Sequence, residues 1–460
     1  CFRQDRGTKA SICTKIRRFD MSMVVYQNLI RWFLLGVLSF MLVAGKLAFA
    51  GQSPEQVGAM LKAMADPAGA PFFPVVMQIL QVLTWALHML FVWTSVGGLI
   101  YAIYGFTRKE ENHQRLARAM LELSKVSVSL AIVLGVAPLL FYQVIYDPLW
   151  YASANLSAFW YIMFIVFLLI GYYLIWFAYF SRQKSQMSTL FSIGGLIFLL
   201  LVGFIIHVVN YQALFPEKWV EWYTSGGTTM NHSGWNIYAF NPLRYLSLLV
   251  FPSVAVTGVF MMLYAWYFGK REDFEKDYVE FVARLGTKLA IFGGAGWIVF
   301  HILHILTLPS DWNAKGSIFT LLSVLGLLLV AGMVFIAQKN PIKMAIPSLV
   351  AGVVATLLLA VFREYLRVAS TARFGYSIYD YKLNLEWLSP LLFFGTTATG
   401  LILYAYAWWM AYQAGRRPKG QVYEASEAEH HLGDVSVFIV VLWAIVFVGT
   451  GLIIIIKNYT

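Results

Sequence analysis

The sequence predicts an all-α membrane protein, a polytopic bundle of about ten transmembrane helices. Hydrophobic residues make up 60% of the 460 residues and charged residues only 12%, and the mean hydropathy is +0.68. A soluble core of this length could not bury so much apolar surface. The apolar residues also form runs long enough to cross about 30 Å of hydrocarbon. These runs lie at 75–105, 121–146, 157–180, 189–215, 243–269, 284–308, 317–337, 343–363, 386–412 and 434–457.

The N-terminal segment differs from the spans that follow it. Arg31 precedes a short apolar stretch at 32–45, and the sequence Ala48-Phe49-Ala50, with small residues at its first and last positions, follows. This pattern is typical of a secretory signal peptide cleaved after Ala50, and the alternative is a retained anchor helix. We therefore interpret 1–50 as a leader and 51–74 as an external N-terminal segment.

Both cysteines of the sequence, Cys1 and Cys13, lie in this leader. A mature chain without cysteine has no thiolate for an iron–sulfur cluster and no thiol for a disulfide. We therefore expect no iron–sulfur cluster in the mature protein.

Lysine and arginine are concentrated in alternate loops between the predicted spans. By the positive-inside rule these loops face the cytoplasm, and the N-terminus lies outside after signal cleavage. The net charge of +11 therefore reflects topology in a bacterial inner membrane, and nothing in its distribution predicts nucleic-acid binding. The basic residues are Arg108, Lys109, Arg115 and Arg118; Arg182 and Lys184; Lys270, Arg271, Lys276 and Arg284; Lys339 and Lys343; and Arg416, Arg417 and Lys419.

Four histidines inside the apolar runs are the strongest functional signal: His88, His207, His301 and His304. Counted at about 1.5 Å per helical residue, all four lie toward the external side. Imidazoles projecting from separate helices into a dry gap can ligate the iron of a b-type haem. The alternative is that each is a hydrogen-bonded packing residue. His232, in an external loop, is a further candidate for a lid or ligand.

Three arginines near the external side are candidate partners for haem propionates. Arg244 begins the span at 243–269, and Arg363 and Arg367 lie one turn apart with Glu364 between them. Guanidinium groups suit planar carboxylates at a membrane interface. The alternative role for these side chains is to anchor helix ends by snorkelling. Glu364 is a candidate protonatable group.

The region from 79 to 118 also resembles a known family. A Leu-Gln pair precedes His88, an apolar helix containing glycine follows it, and a charged loop ends in Arg115-Leu-Ala-Arg118. This order is similar to the first helix and loop of subunit I in the cytochrome bd oxidase superfamily. Weaker similarity extends over about 75–290. The resemblance implies that His88 is an axial haem ligand, that 75–269 are the haem-binding helices and that 270–460 form a second helical bundle.

The chain also departs from the pattern of that family. The span at 157–180 has no Asp or Glu, the span at 243–269 has no His, and the Gly-Arg-Gln-Pro-Trp signature of quinol oxidation is absent. The resemblance therefore implies a divergent member in which His207, His301 and His304 replace lost ligands. Its electrons are then expected to come from a periplasmic c-type cytochrome.

Three functions remain open from the sequence. The first is a haem-bearing electron-transfer subunit, an oxidoreductase component of a respiratory complex with other membrane subunits and a c-type cytochrome. The second is a haem-free membrane anchor that interacts with quinone, whose protons the histidines and the Arg363/Glu364 pair would handle. The third is a proton-coupled transporter, in which intramembrane histidines act as proton relays.

Overall fold

The computed structural model describes residues 52–224 and 240–459. The predicted leader, Cys1, Cys13 and His232 lie outside the described residues. Within the described part the chain is helical, and its one bridge between extended segments joins Ala70 to Leu383.

Ten helical segments of the described part are long and apolar enough to cross a membrane, which confirms the all-α, multi-pass prediction. A short helix, α1 (Pro54–Met64), precedes them. The spans are α2 (Pro74–Phe106), α3 (Glu111–Ile145), α4 (Asp147–Phe180), α5 (Ser185–Gln212), the segment Pro242–Phe268, α9 (Lys276–Leu306), α10 (Ile318–Ala337), α11 (Ala345–Ala372), α12 (Leu388–Gly415) and α13 (Glu427–Tyr459). A six-residue helix, α6 (Trp219–Thr224), follows α5.

The span Pro242–Phe268 is built from three consecutive pieces: α7 (Pro242–Tyr245), a π-helical turn (Leu246–Val250) and α8 (Phe251–Phe268). Pro252 has no N–H with which to bond the carbonyl of Leu248 in an α-helical pattern. That carbonyl instead accepts a hydrogen bond of 2.7 Å from the indole of Trp93 on α2. The widened turn is therefore held by a neighbouring helix.

Close packing between the spans depends on small residues at their crossings. A Cβ added to Gly97 would lie 2.1 Å from the backbone oxygen of Ser253, and one added to Gly258 would lie 2.4 Å from the backbone nitrogen of Ala290. Helices in a membrane gain stability mainly from such close van der Waals contact. The result is a bundle in which α2 packs against α3, α5, α8 and α11. Helices from both sides of the predicted boundary at residue 269 thus lie in contact.

The hairpin of α12 and α13 stands at the side of this bundle. Buried residues in the hairpin are few: Thr399 on α12, and Gly433 and Ser436 on α13. The two helices contact each other, for example through the indole of Trp443, which donates to Thr396 Oγ1 at 2.9 Å. The remaining apolar surface of the hairpin is exposed, as expected of helices that face lipid.

Candidate functional site

A cavity of about 390 Å³ lies among α2, α3, α4, α5, α11 and the start of the span Pro242–Phe268. This volume is within the range of roughly 300–1,000 Å³ found for small-molecule and cofactor sites. Most of the wall is apolar, contributed by residues such as Val96, Ile132 and Leu199. Polar and charged side chains are few: His88, His207, Asn210, Arg244 and Arg363 are among them. The cavity therefore combines four of the predicted site residues with a dry surround.

His88 on α2 is held in one orientation by the neighbouring helix. Its Nδ1 lies 2.8 Å from the backbone oxygen of Ala131 on α3. Because a carbonyl oxygen only accepts, Nδ1 carries the proton and the lone pair of a neutral ring remains on Nε2. That nitrogen has no hydrogen-bond partner among the described residues. A fixed tautomer with a free nitrogen is the arrangement that metal-ligating histidines use.

Gly135, one turn after Ala131 on α3, gives the His88 ring its space. A Cβ at this position would lie 2.9 Å from His88 Cε1 and 3.0 Å from Nδ1. Such contacts are shorter than side chains tolerate, so any larger residue would displace the ring. The absence of a side chain at Gly135 is therefore part of the site.

His207 on α5 is buried and faces hydrogen-bond donors on both ring nitrogens. The backbone N–H of Asn241 lies 3.3 Å from Nε2, and Nη1 of Arg244 lies 3.4 Å from Nδ1. A guanidinium only donates, so the contact with Arg244 is a hydrogen bond when Nδ1 accepts, and a neutral ring accepts on one nitrogen only. His207 therefore cannot accept from Asn241 and Arg244 at once, and one of the two donors is left for another acceptor. The geometry suits a carboxylate or carbonyl oxygen supplied by a ligand.

Arg244 and Arg363 bring two positive charges to the cavity. Arg363 donates to Asn210 Oδ1 at 2.8 Å and stacks over Trp85, with its guanidinium carbon 4.8 Å from the ring centre. Neither arginine has a carboxylate partner among the described residues. A buried charge without a counter-ion is costly in a medium of low dielectric constant. The cavity is therefore suited to a ligand that carries two negative charges.

Arg367 occupies a different environment, although it lies one turn from Arg363 on α11. Its Nη1 pairs with Glu364 Oε2 at 2.5 Å, and both side chains are buried. Glu364 Oε1 also accepts from Gln78 Nε2 at 2.9 Å and from the hydroxyl of Tyr146. Glu364 is therefore the counter-ion of Arg367, and Arg367 does not line the cavity.

His301 and His304 on α9 are buried among packed side chains instead of in the cavity wall. Both rings contact Phe362 of α11, with centroid distances of 5.2 and 6.3 Å. Nε2 of His301 donates to Ser323 Oγ on α10 at 2.9 Å, because that hydroxyl gives its own proton to the backbone oxygen of Thr320. The structure thus brings His88 and His207 to the cavity and leaves the α9 pair outside it.

The sequence analysis did not assign a role to three side chains of the site. Trp85 and Asn210 contact Arg363. Asn241 Nδ2 donates to Oγ1 of Thr307, just after α9, at 3.0 Å, and the backbone N–H of Asn241 faces His207. An available signal was the presence of asparagine inside or beside an apolar run, since an amide in a membrane requires a partner. In 52–224 and 240–459, no three His, Cys, Asp or Glu side chains are placed so that together they could hold a metal ion.

Comparison of the chain with protein-family models gives no match. Comparison with curated proteins likewise gives no significant match.

Proposed function

We propose that this chain is a haem-binding membrane subunit of a respiratory electron-transfer complex, related to subunit I of the cytochrome bd oxidases. A b-type haem would occupy the cavity, with His88 Nε2 as an iron ligand. The observation that supports this most directly is the composition of the wall: an imidazole nitrogen without a hydrogen-bond partner and two guanidinium groups without a carboxylate partner, among the described residues, around an apolar space. A haem presents the matching chemistry, an iron in an apolar ring with two carboxylates.

Each polar side chain of the cavity has a role in this proposal. Arg244 and Arg363 would neutralise the two propionates, and His207 would orient the guanidinium of Arg244. Asn210 and Trp85 hold the guanidinium of Arg363 in place. A bound haem supplies one-electron transfer, while the apolar wall excludes water from it.

The partners in this proposal are other membrane subunits and a periplasmic c-type cytochrome that exchanges electrons with the haem. The support is positional: His207 and Arg244 lie at the ends of their helices that the loop charges predict to be external. A haem whose propionates reach that end is close to a water-soluble partner on the same side.

One observation favours a second function, a haem-free anchor that binds quinone. Arg244 Nη1 and His207 Nδ1 lie 3.4 Å apart, and both residues line the cavity. A quinone carbonyl would accept from the guanidinium, and the quinone ring and tail would fit the apolar wall. This alternative does not explain the second cation, Arg363, which has no carboxylate partner among the described residues.

The test is a dithionite-reduced minus oxidised spectrum of the purified protein, together with haem per polypeptide and solvent extraction for quinone. We expect a sharp alpha band and at least about one haem per chain. Bound quinone without an alpha band would replace the haem proposal with the quinone alternative. Absence of both would overturn both and favour a proton-coupled transporter.

A further inference from the structure

A second pocket lies at the opposite end of the bundle, where the sequence places the basic loops. Its volume is about 580 Å³, and it lies between the start of α3, the loop from α8 to α9 and the loop after α12. Four cations and one carboxylate are among the described residues that line it. The charged residues of the lining are Arg115, Arg271, Asp273, Arg417 and Lys419.

Hydrogen bonds hold the loop after α12 against the loop between α8 and α9. Asp273 Oδ2 accepts from the backbone N–H of Lys419 at 3.0 Å, and Arg271 Nη1 donates to the backbone oxygen of Gly415 at 2.9 Å. The chain then turns at Gly420, whose φ of 92° favours glycine. These hydrogen bonds fix the two loops that form most of the pocket against each other.

The charges of the pocket do not cancel. Arg271 pairs with Asp273 at 2.6 Å, and Arg115 pairs with Glu275 at 2.5 Å. The hydrogen bond from Arg271 lowers the pKa of Asp273, so this carboxyl stays ionised at neutral pH. Arg417 and Lys419 have no carboxylate partner in the described part of the chain. The pocket thus retains two positive charges that a ligand can neutralise.

Near the end that lines the pocket, α12 carries two tryptophans that face outward. Trp408 and Trp409 on α12 expose 56% and 47% of their surface, one to two turns before the helix ends at Gly415. The same end of α12 is tied to the bundle by the hydroxyl of Tyr267, which donates to the backbone oxygen of Tyr412 at 2.7 Å. Tryptophan at this depth is typical of a membrane–water interface. Cations and an exposed apolar helix are therefore adjacent at the level of lipid headgroups.

We propose that this pocket binds the phosphate of an anionic phospholipid, with Arg417 and Lys419 as the principal contacts and the acyl chains lying along α12. Basic pockets between transmembrane helices on the cytoplasmic side are suited to such headgroups. The charge complementarity and the adjoining apolar helix support a lipid over a small soluble anion. This proposal does not depend on the haem proposal, because the pocket shares no lining residue with the cavity of His88.

The test measures binding of fluorescent phosphatidylglycerol and phosphatidylcholine to the full chain in detergent. The variant carries Arg417→Ala and Lys419→Ala, and its matched control carries Lys339→Ala and Lys343→Ala, which removes the same charge from another basic loop. At about 1 kcal/mol for each cation, we expect the first variant to bind phosphatidylglycerol about 30-fold more weakly. We expect the control to match the parent protein, and phosphatidylcholine to bind weakly to all three.

Two further measurements distinguish loss of lipid binding from a folding defect and from binding of a different ligand. The conservative variant Arg417→Lys with Lys419→Arg keeps the charge, and we expect it to retain binding of phosphatidylglycerol. Inorganic phosphate is titrated as a competitor, and we expect it not to displace the lipid. Equal binding of the two lipids, unchanged binding by the Ala variant, lost binding by the conservative variant, or displacement by free phosphate would each overturn the proposal.

Discussion

The two pairs of intramembrane histidines occupy contrasting surroundings. His88 and His207 line a cavity with two arginines that have no carboxylate partner among the described residues, whereas His301 and His304 lie outside that cavity and pack against Phe362. All four lie in apolar spans and look alike in the sequence. The pairs therefore differ in whether they line the cavity, since Nδ1 of His301 and Nδ1 of His304 also have no hydrogen-bond partner in 52–224 and 240–459.

The largest expected effect distinguishes the pairs directly. We expect His88→Ala to reduce haem per polypeptide to near zero, because it removes the free Nε2 of the cavity. His301→Ala is the matched control, since it removes the same side chain from a packed site and leaves the cavity wall intact. The measurement is the haem-to-protein ratio of the purified variants. Equal haem loss in both would remove the distinction between the pairs.

The next effect concerns the charges of the cavity. Arg244→Ala and Arg363→Ala should each weaken haem binding about tenfold or more, because a charge-assisted hydrogen bond to a propionate contributes roughly 1.5–3 kcal/mol. The measurement is haem affinity in titrations of protein from which haem has been extracted. Unchanged affinity in both variants would show that the cations do not hold a haem.

Arg367→Ala is the control for those two arginines and has a different expected result. It should leave haem affinity unchanged, because Arg367 does not line the cavity. Glu364 would then be a buried charge without its cation, and breaking such a pair costs roughly 3–5 kcal/mol of stability. Thermal unfolding in detergent would measure the loss. A stable variant with weakened haem binding would reverse the roles assigned to Arg363 and Arg367.

A smaller effect is expected from Gly135→Ala. The added methyl group would lie 2.9 Å from His88 Cε1, so the ring must shift and its bond to Ala131 must lengthen. Loss of such a supporting bond lowers metal affinity by about tenfold, and the alpha band should move or broaden. Gly332→Ala is the control, since a Cβ there meets nothing within 4 Å. An identical spectrum in both variants would mean that the orientation of His88 does not affect the haem.

Much of the fold could be predicted because the thickness of the membrane dictates the length of each apolar run. The run at 284–308, for example, lies within α9 except for its last two residues. The polar ends of helices were harder to predict. The run at 121–146 gives only part of α3, which begins at Glu111, because a helix continues beyond the hydrocarbon where its charged residues meet water.

The site was predicted in part, and the reason is geometric. His88, His207, Arg244 and Arg363 were all identified from the sequence and line one cavity. A span that is apolar on every side has no pattern to show which face meets a cavity, so the positions of His301 and His304 needed the tertiary structure. Arg363 and Arg367 are one turn apart, and their environments differ because Glu364, which contacts Gln78 on α2 and Tyr146 between α3 and α4, pairs with Arg367 alone.

The π-helical turn at Leu246–Val250 has a consequence for how such a site can change in evolution. A regular helix rotates roughly 100° with each residue, and this turn accommodates one residue more than α winding does. Because the widened turn has absorbed the extra residue, deleting one codon within it would restore regular winding and leave Arg244 beside His207. A deletion elsewhere between Arg244 and the end of α8 would instead rotate Arg244 by roughly 100° relative to the rest of the span. The widened turn is thus the place where this span can change its length by one residue without moving the charge of the cavity.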